Sequence, residues 1–549
     1  MTKKYKIKWL CLAGLAAMFH NAGAQTISKV AVPVFKNITF NIVDYGAKAD
    51  GIFLNTESIN KTIAVCSKQG GGTVLIPAGL WMTGPVVLRS NVNLRLARNC
   101  LLRFSSDFNQ YALVRGNWEG RPAVRNQSPI SAANEENIAI TGSGIIDGGG
   151  DAWRMMKKEK MTESEWQRLI ASGGVLSADK KTWYPSEKSR KGSETKDAGA
   201  WEDGKTIQDY EEIKDFLRPN LLVFYQCKKI LLEGVSFQNS PAWCLHPLLC
   251  EDLTIRNIQV KNPWNAQNGD GIDIESCKNM LLENSSFDVG DDGICIKSGR
   301  DEAGRKRNKP TENVLIRNCT VYHAHGGFVI GSEMSGGARN IMVSDCTFIG
   351  TDIGLRFKTT RGRGGVVEKI FIRNISMMNI VGDAIFFDMY YMAKDPIALA
   401  GDSAALPGKK ILPVTEATPQ FRDFHIKNVV CNGAANAIFI RGLPEMKIKD
   451  IFLDSMVLKT KKGIECTDAG NIHFNNIKLI SANTDPVAAF DQCSNIFVNQ
   501  LDYPEAADLL FQIRGSESAG IQVKNTNISK AKEKQRFVHG ATTRSLNIE

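Results

Sequence analysis

A short pattern returns along most of this chain and restricts what it can fold into. Its form is roughly Cys/Asn-x-Asn-Ile-x-Ile-x-Asn-x-x-Ile/Phe. Copies start at Cys227-Lys228-Lys229-Ile230, Cys250-Glu251-Asp252-Leu253 and Cys277-Lys278-Asn279-Met280. Others follow around Asn313, Asn340, Lys369, Phe424, Met446, Asn471, Asn495 and Gly520, ungapped copies lying about 22 to 29 residues apart. Within each, Ile, Val, Leu or Phe alternates with polar residues, the period of a strand. Glycine, asparagine and aspartate mark the corners between strands. One such coil cannot bury its own inner face, whereas stacked coils close one continuous tubular core. Leucine is not the dominant periodic residue and helices between copies are missing, which argues against a leucine-rich solenoid. A propeller needs antiparallel blades and longer units. The expectation is an all-β chain: a single-stranded, right-handed parallel β-helix with inserted loops.

The repeat turns most of the 549 residues into one solenoid, taken as residues 25–549, where length alone would allow several domains. Charged residues at 23% and hydrophobic residues at 43% fit neither a disordered chain nor a membrane bundle. Only 7 histidines argue against a histidine-rich metal centre. The formal charge of +10 is too small to indicate nucleic acid, but it suits an acidic partner. Residues 1–24 read as a cleaved export signal. Lys3, Lys4, Lys6 and Lys8 precede an apolar run over residues 9–19, and Ala22-Gly23-Ala24 forms a small-residue cleavage site before Gln25. The run is too short to cross a bilayer, so no stable membrane insertion is expected. The expected location is outside the cytoplasm, the periplasm in preference to the medium. Removal of the signal takes away four lysines and Cys11, and spacing leaves the pairing of the remaining cysteines open.

Residues 56–68 carry helical periodicity in Ile59, Ile63, Ala64 and Val65, ended by Gly70-Gly71-Gly72. That triplet precedes a strand and lacks a Lys-Ser/Thr continuation, so it is no phosphate loop. Two stretches interrupt the repeat. Residues 151–216 are charged, with a helical portion near 163–170, and residues 396–419 are irregular. Long loops on a rigid solenoid commonly wall a binding groove.

Asn268-Gly269-Asp270 follows one strand copy, and Gly290-Asp291-Asp292-Gly293 comes about one coil later. This spacing stacks Asp270 beside the aspartate pair on neighbouring coils. The next coils carry His325-Gly326 and then Arg356-Phe357-Lys358. Adjacent residues of an ideal strand point oppositely, so Asp291 and Asp292 share a site only if Gly290 or Gly293 makes a corner. Glycosidic cleavage uses such a set: one carboxyl protonates the leaving oxygen and another activates water. Clustered carboxylates raise one another's proton affinity, which keeps one protonated as the acid. Arg356 and Lys358 suit a carboxylated sugar. Taken singly, each Asp-Gly pair could equally be a turn, and carboxylates could hold calcium.

With these motifs in order, the chain resembles the polygalacturonase family, the family 28 glycoside hydrolases, whose fold is the pectin-lyase-like solenoid. The family's Asn-Thr-Asp, Gly-Asp-Asp, Gly-His-Gly and Arg-Ile-Lys motifs match Asn268-Gly269-Asp270, Gly290-Asp291-Asp292, Ala324-His325-Gly326 and Arg356-Phe357-Lys358. The resemblance implies inversion of configuration, with Asp291 as general acid, Asp270 and Asp292 activating water, and His325 supporting the acid. It implies substrate binding by Arg356, Lys358 and Asn268, and neither metal nor cofactor. Ser332-Glu333-Met334-Ser335-Gly336-Gly337, Arg361-Gly362-Arg363-Gly364-Gly365, Trp243, His246 and Arg300-Asp301-Glu302 resemble the bacterial exo-acting branch. In that reading residues 151–216 close one end of the groove, Arg300 borders the substrate path and Tyr390 or Tyr391, with Tyr390 preferred, stacks on a sugar. The implied partner is an acidic pectic oligosaccharide of α-1,4-linked galacturonic acid, acted on by a monomer or weak oligomer. A rhamnogalacturonan or xylogalacturonan hydrolase, a calcium-dependent pectate lyase and a non-catalytic carbohydrate-binding β-helix stay open as alternatives.

Overall fold

The structure is a computed structural model describing residues 30–391 and 411–549. The export-signal residues 1–24, and residues 396–410 of the second irregular stretch, lie outside the described residues. Among the described residues, two long parallel sheets of 24 and 14 strands run the length of the solenoid. Each coil supplies strands to both, and neighbours in each sheet come from successive coils.

The corners explain the asparagines of the repeat. Asn279, Asn313 and Asn340 all adopt the left-handed conformation, with φ of 57°, 57° and 54°. Asparagine tolerates that region better than other residues with a β-carbon. Its carboxamide also bonds along the stack. The Asn313 amide donates to the oxygen of Asn279 at 3.1 Å, and Asn340 donates to Asn313. The corner residue therefore turns the chain and ties each coil to the one before.

Helix α1 (Thr56–Lys68) covers the first coils with Ile59, Ile63 and Cys66 buried. A hairpin of antiparallel strands β1 (Leu113–Trp118) and β2 (Arg121–Asn126) then leaves the solenoid. A longer excursion follows before the chain re-enters the coils at Leu222. It contains α2 (Glu163–Ala171), started by a capping box between Thr162 and Glu165. The hairpin and excursion share a small core of Leu113, Val124, Tyr210, Ile213 and Leu217.

The site-bearing strands belong to the 14-stranded sheet: β3 (Leu245–Leu248), β4 (Ile272–Glu275), β5 (Ile294–Lys297), β6 (Gly326–Ile330), β7 (Ile353–Lys358) and β8 (Asp383–Asp388). Their register stacks Ile272, Ile294, Phe328, Leu355 and Ile385 in one row. All five are buried in the tube. Truncating one such side chain to alanine costs about 2–5 kcal/mol. The intervening residues point out of the tube. All 12 described cysteines are free and buried; most sit in the main core.

Candidate active site

Strand alternation accounts for the Arg-x-Lys spacing. Phe357 is buried and packs on Phe387 with ring centroids 4.5 Å apart. Arg356 and Lys358, on either side of it, therefore face outward. Both reach Asp292: Arg356 Nη1 donates to Oδ1 at 3.0 Å and Lys358 Nζ to Oδ2 at 2.7 Å.

The corner required for two adjacent aspartates is present. A β-carbon on Gly290 would lie 2.5 Å from the Pro263 carbonyl oxygen, so only glycine fits there. Gly269 is similarly confined, since a β-carbon would meet Ala266 Cβ at 2.7 Å. Asp291 Oδ1 accepts the Asp292 backbone N–H at 2.9 Å, which holds the turn. Asp292 is thereby directed inward, with a side chain 2% exposed, while Asp291 stays open at 24%. Asp270 sits level with Asp292 on the preceding coil, where the Gly271 N–H donates to the Asp292 carbonyl. One oxygen each of Asp270, Asp291 and Asp292 lies within 4.8 Å of the others. Such a trio resembles a cation site, but Arg356 and Lys358 already take both Asp292 oxygens.

The carboxyls differ in ionisation. Burial pushes Asp292 up, but Lys358, Arg356 and Lys297 outweigh it and hold it well below the usual range. Asp270 is driven well above that range by burial, then by the charges of Asp273 and Asp291. Its Oδ1 is buried without a hydrogen-bond partner. His325 Nδ1 lies 3.2 Å from Asp291 Oδ1, and this hydrogen bond raises its proton affinity against the opposing effect of burial. On the next coil Asp352 lies 3.7 Å from His325 Nε2.

The remaining expected residues have other neighbours. Asn268 adopts φ 52°, and its carboxamide oxygen accepts from Arg218 at 3.1 Å. Arg300 pairs with Glu119 at 2.7 Å and with Asp301 at 3.3 Å, so it latches the hairpin tip rather than offering a free cation. Tyr390 corrects the expectation: its ring lies against Arg361 and Arg441, 5.1 and 5.3 Å from its centroid. Tyr391 is the tyrosine at the site, 4.9 Å from Lys358 Nζ and 5.7 Å from the Arg356 guanidinium. The chain bends after Asp388, whose Oδ1 accepts the Tyr390 N–H, and strand alternation no longer assigns the faces.

Sequence reasoning missed several residues. Lys297, buried, contacts Glu333 at 3.0 Å and Asp273 at 3.5 Å and lies 4.8 Å over the Trp243 ring. Coil register was a usable signal here, because β5 ends in an outward lysine beside Glu275 of β4. Trp118, at the end of β1, stacks on Trp243 with centroids 5.5 Å apart. Nothing in the repeat marks Trp118, since it sits on a hairpin outside the coils. This hairpin is braced by residues of the 151–216 excursion: Trp201 donates its backbone N–H to the Pro122 carbonyl at 3.1 Å.

Comparisons with known proteins agree with this geometry. Residues 190–406 match the glycosyl hydrolases family 28. A hyperthermoactive exopolygalacturonase from Thermotoga maritima is 32% identical, covers 78% of this chain and 89% of its own, and superposes with a TM-score of 0.63. The chain belongs to family 28. An exo-poly-alpha-D-galacturonosidase of Dickeya chrysanthemi is 27% identical over 83% of this chain and 73% of its own. A probable polygalacturonase of Vitis vinifera is 27% identical over 79% and 77% respectively. As a family 28 member the chain is a glycoside hydrolase on a right-handed parallel β-helix.

Proposed function

We propose that this hydrolase releases galacturonic acid from the end of α-1,4-linked galacturonan oligosaccharides, with inversion at the anomeric carbon. The observation that carries this reading is a carboxylate trio beside two fixed cations, with a hairpin tip packed at Arg300 just past the end of β5. The cations Arg356 and Lys358, with Tyr391, line a position suited to a carboxylated sugar. The hairpin tip is held by Gly120, whose carbonyl accepts from the Arg300 N–H at 3.2 Å, and by the Glu119–Arg300 pair. In this reading the hairpin blocks one end of the groove, which admits a chain terminus and excludes a continuous polymer.

Asp291, open to the groove and hydrogen-bonded to His325, donates its proton to the leaving oxygen. Asp292 is kept ionised and Asp270 keeps its proton, so the pair carries a single negative charge. That charge accepts the proton of an attacking water held between them. The oxygens approach more closely than the separation of about 6.5–9.5 Å usual for inverting pairs. Ionisation supports inversion instead. A carboxylate with both oxygens tied to cations is a poor nucleophile, yet it still orients a water. A rhamnogalacturonan or xylogalacturonan substrate has no separate observation in its favour.

A time course on a defined galacturonate oligomer tests the reading. Monomer from the first time points, with the inverted anomer by NMR, is expected. An early ladder of internal products would refute exo action, and retained configuration would refute the roles of Asp270 and Asp292. Export to the periplasm, proposed from residues 1–24, is checked by cell fractionation and N-terminal sequencing; full-length protein in the cytoplasm would refute it.

A further inference from the structure

Five of the eight described tryptophans are buried: Trp81, Trp153, Trp166, Trp183 and Trp243. Trp118 and Trp201 are half-buried, and Trp264 is 63% exposed. An indole left in water at a rigid position is a ready platform for a ligand with an apolar face.

Trp264 occupies such a position. It is the second residue of a tight turn closed by the Ala266 N–H donating to the Pro263 carbonyl at 2.9 Å. The Ala266 carbonyl then accepts the Gly269 N–H at 3.1 Å. The same turn presses on Gly290, whose missing β-carbon leaves room for Pro263 and Ala266. One small turn thus buttresses the residues immediately before both Asp270 and Asp291, and Trp264 rides on it. It stands at the N-terminal ends of β4 and β5, whereas the hairpin tip stands at their C-terminal ends, against Gly299 and Arg300.

A cation accompanies the ring. Lys160 Nζ lies 5.0 Å from the Trp264 ring centroid. Among the described residues no carboxylate lies within ion-pair distance of Lys160. Its segment is tied to the same turn: Gln267 Nε2 donates to the Met155 carbonyl at 3.3 Å, and the Asn265 amide reaches the Met156 sulfur at 3.9 Å. The excursion therefore delivers an uncommitted ammonium to an uncovered indole on the turn that precedes Asp270 and packs on Gly290.

We propose that Trp264 and Lys160 form a uronosyl subsite on this wall of the groove. The indole takes the apolar C–H face of a sugar ring, and Lys160 pairs with that sugar's carboxylate. The subsite sets affinity for acidic oligosaccharides without touching the reacting bond. It rests on the galacturonan reading above.

Steady-state kinetics on tri- to pentagalacturonate, and on their methyl esters, test it with the full chain. Trp264→Ala is expected to raise KM about fivefold or more with kcat within about twofold, while Trp264→Phe recovers most of the affinity. Lys160→Gln is expected to raise KM on the free acids only. Trp264 is exposed, so an unchanged melting temperature should accompany these effects. Unchanged KM in Trp264→Ala, or a loss confined to kcat, overturns the subsite. Wild-type protein that cleaves no galacturonate oligomer overturns the parent reading instead, and the subsite with it.

Discussion

Replacing Lys358 by methionine isolates the electrostatic support of Asp292. The lysine is buried, 6% exposed, and its Nζ lies 2.7 Å from Asp292 Oδ2. Opposite charges about 4 Å apart attract by about 4 kcal/mol at an effective dielectric near ~20. Arg356 remains at 3.0 Å in the variant and retains part of the field. If about two-thirds of the attraction is lost, Asp292 becomes harder to ionise by about 2.7 kcal/mol, or about two pH units. The sign follows from the depressed proton affinity of Asp292. Its stabilising charge is present above the ordinary carboxylate range and is lost as pH falls through the folded value. In Lys358→Met that loss begins at a higher pH. The acid limb of kcat/KM should rise by up to about two pH units, and thermal stability should become less acid-sensitive, because the folded value of Asp292 then lies nearer its unfolded one. Lys358→Arg, which keeps the charge, should hold the limb near its wild-type position at some cost in geometry. The assay is a pH series of initial rates with melting curves recorded in parallel. A methionine variant with the wild-type acid limb and wild-type rate would refute the assignment of Asp292 as the permanently ionised member of the trio.

Asp291→Asn should lower kcat by ~10²–10⁴-fold with little change in melting temperature, because the side chain is partly open; retained activity would remove its role as acid. Asp352→Asn should move the alkaline limb of activity to lower pH: His325 has a raised proton affinity, so its charged form is present at low pH and is lost as pH climbs through the folded value. An unmoved limb would mean that Asp352 does not act through His325. Shortening the hairpin tip at residues 117–121 should open the groove and produce internal cleavage products, read as an early oligomer ladder; continued release of monomer alone would show that the tip is not what blocks the end.

The fold was legible because each coil carries its own instructions. Alternating apolar residues assign the inner face, and an asparagine or aspartate at each corner accepts the left-handed turn. Nearest-neighbour stacking then does the rest. Asp270, Asp291, Asp292, His325, Arg356 and Lys358 were legible for the same reason: a periodic fold converts sequence spacing into spatial adjacency. What escaped were residues outside that period. Trp118 and Lys160 come from the hairpin and the excursion to pack on Trp243 and Trp264, and no coil register predicts where such segments pack. Tyr391 rather than Tyr390 faces Arg356 and Lys358 because the chain bends after Asp388.

The sequence by itself determined the solenoid, its corner residues and which carboxylates and cations would share a face, since all follow from a repeat read one coil at a time. Only the tertiary structure decided how those groups divide the work. Arg356 and Lys358 had looked like substrate ligands alone, yet both also pair with Asp292, and that pairing separates a carboxylate held in its charged form from Asp270 beside it, whose proton affinity is raised. Burial and charge at distances of a few ångströms set that difference, and they arise from packing between coils and inserted loops.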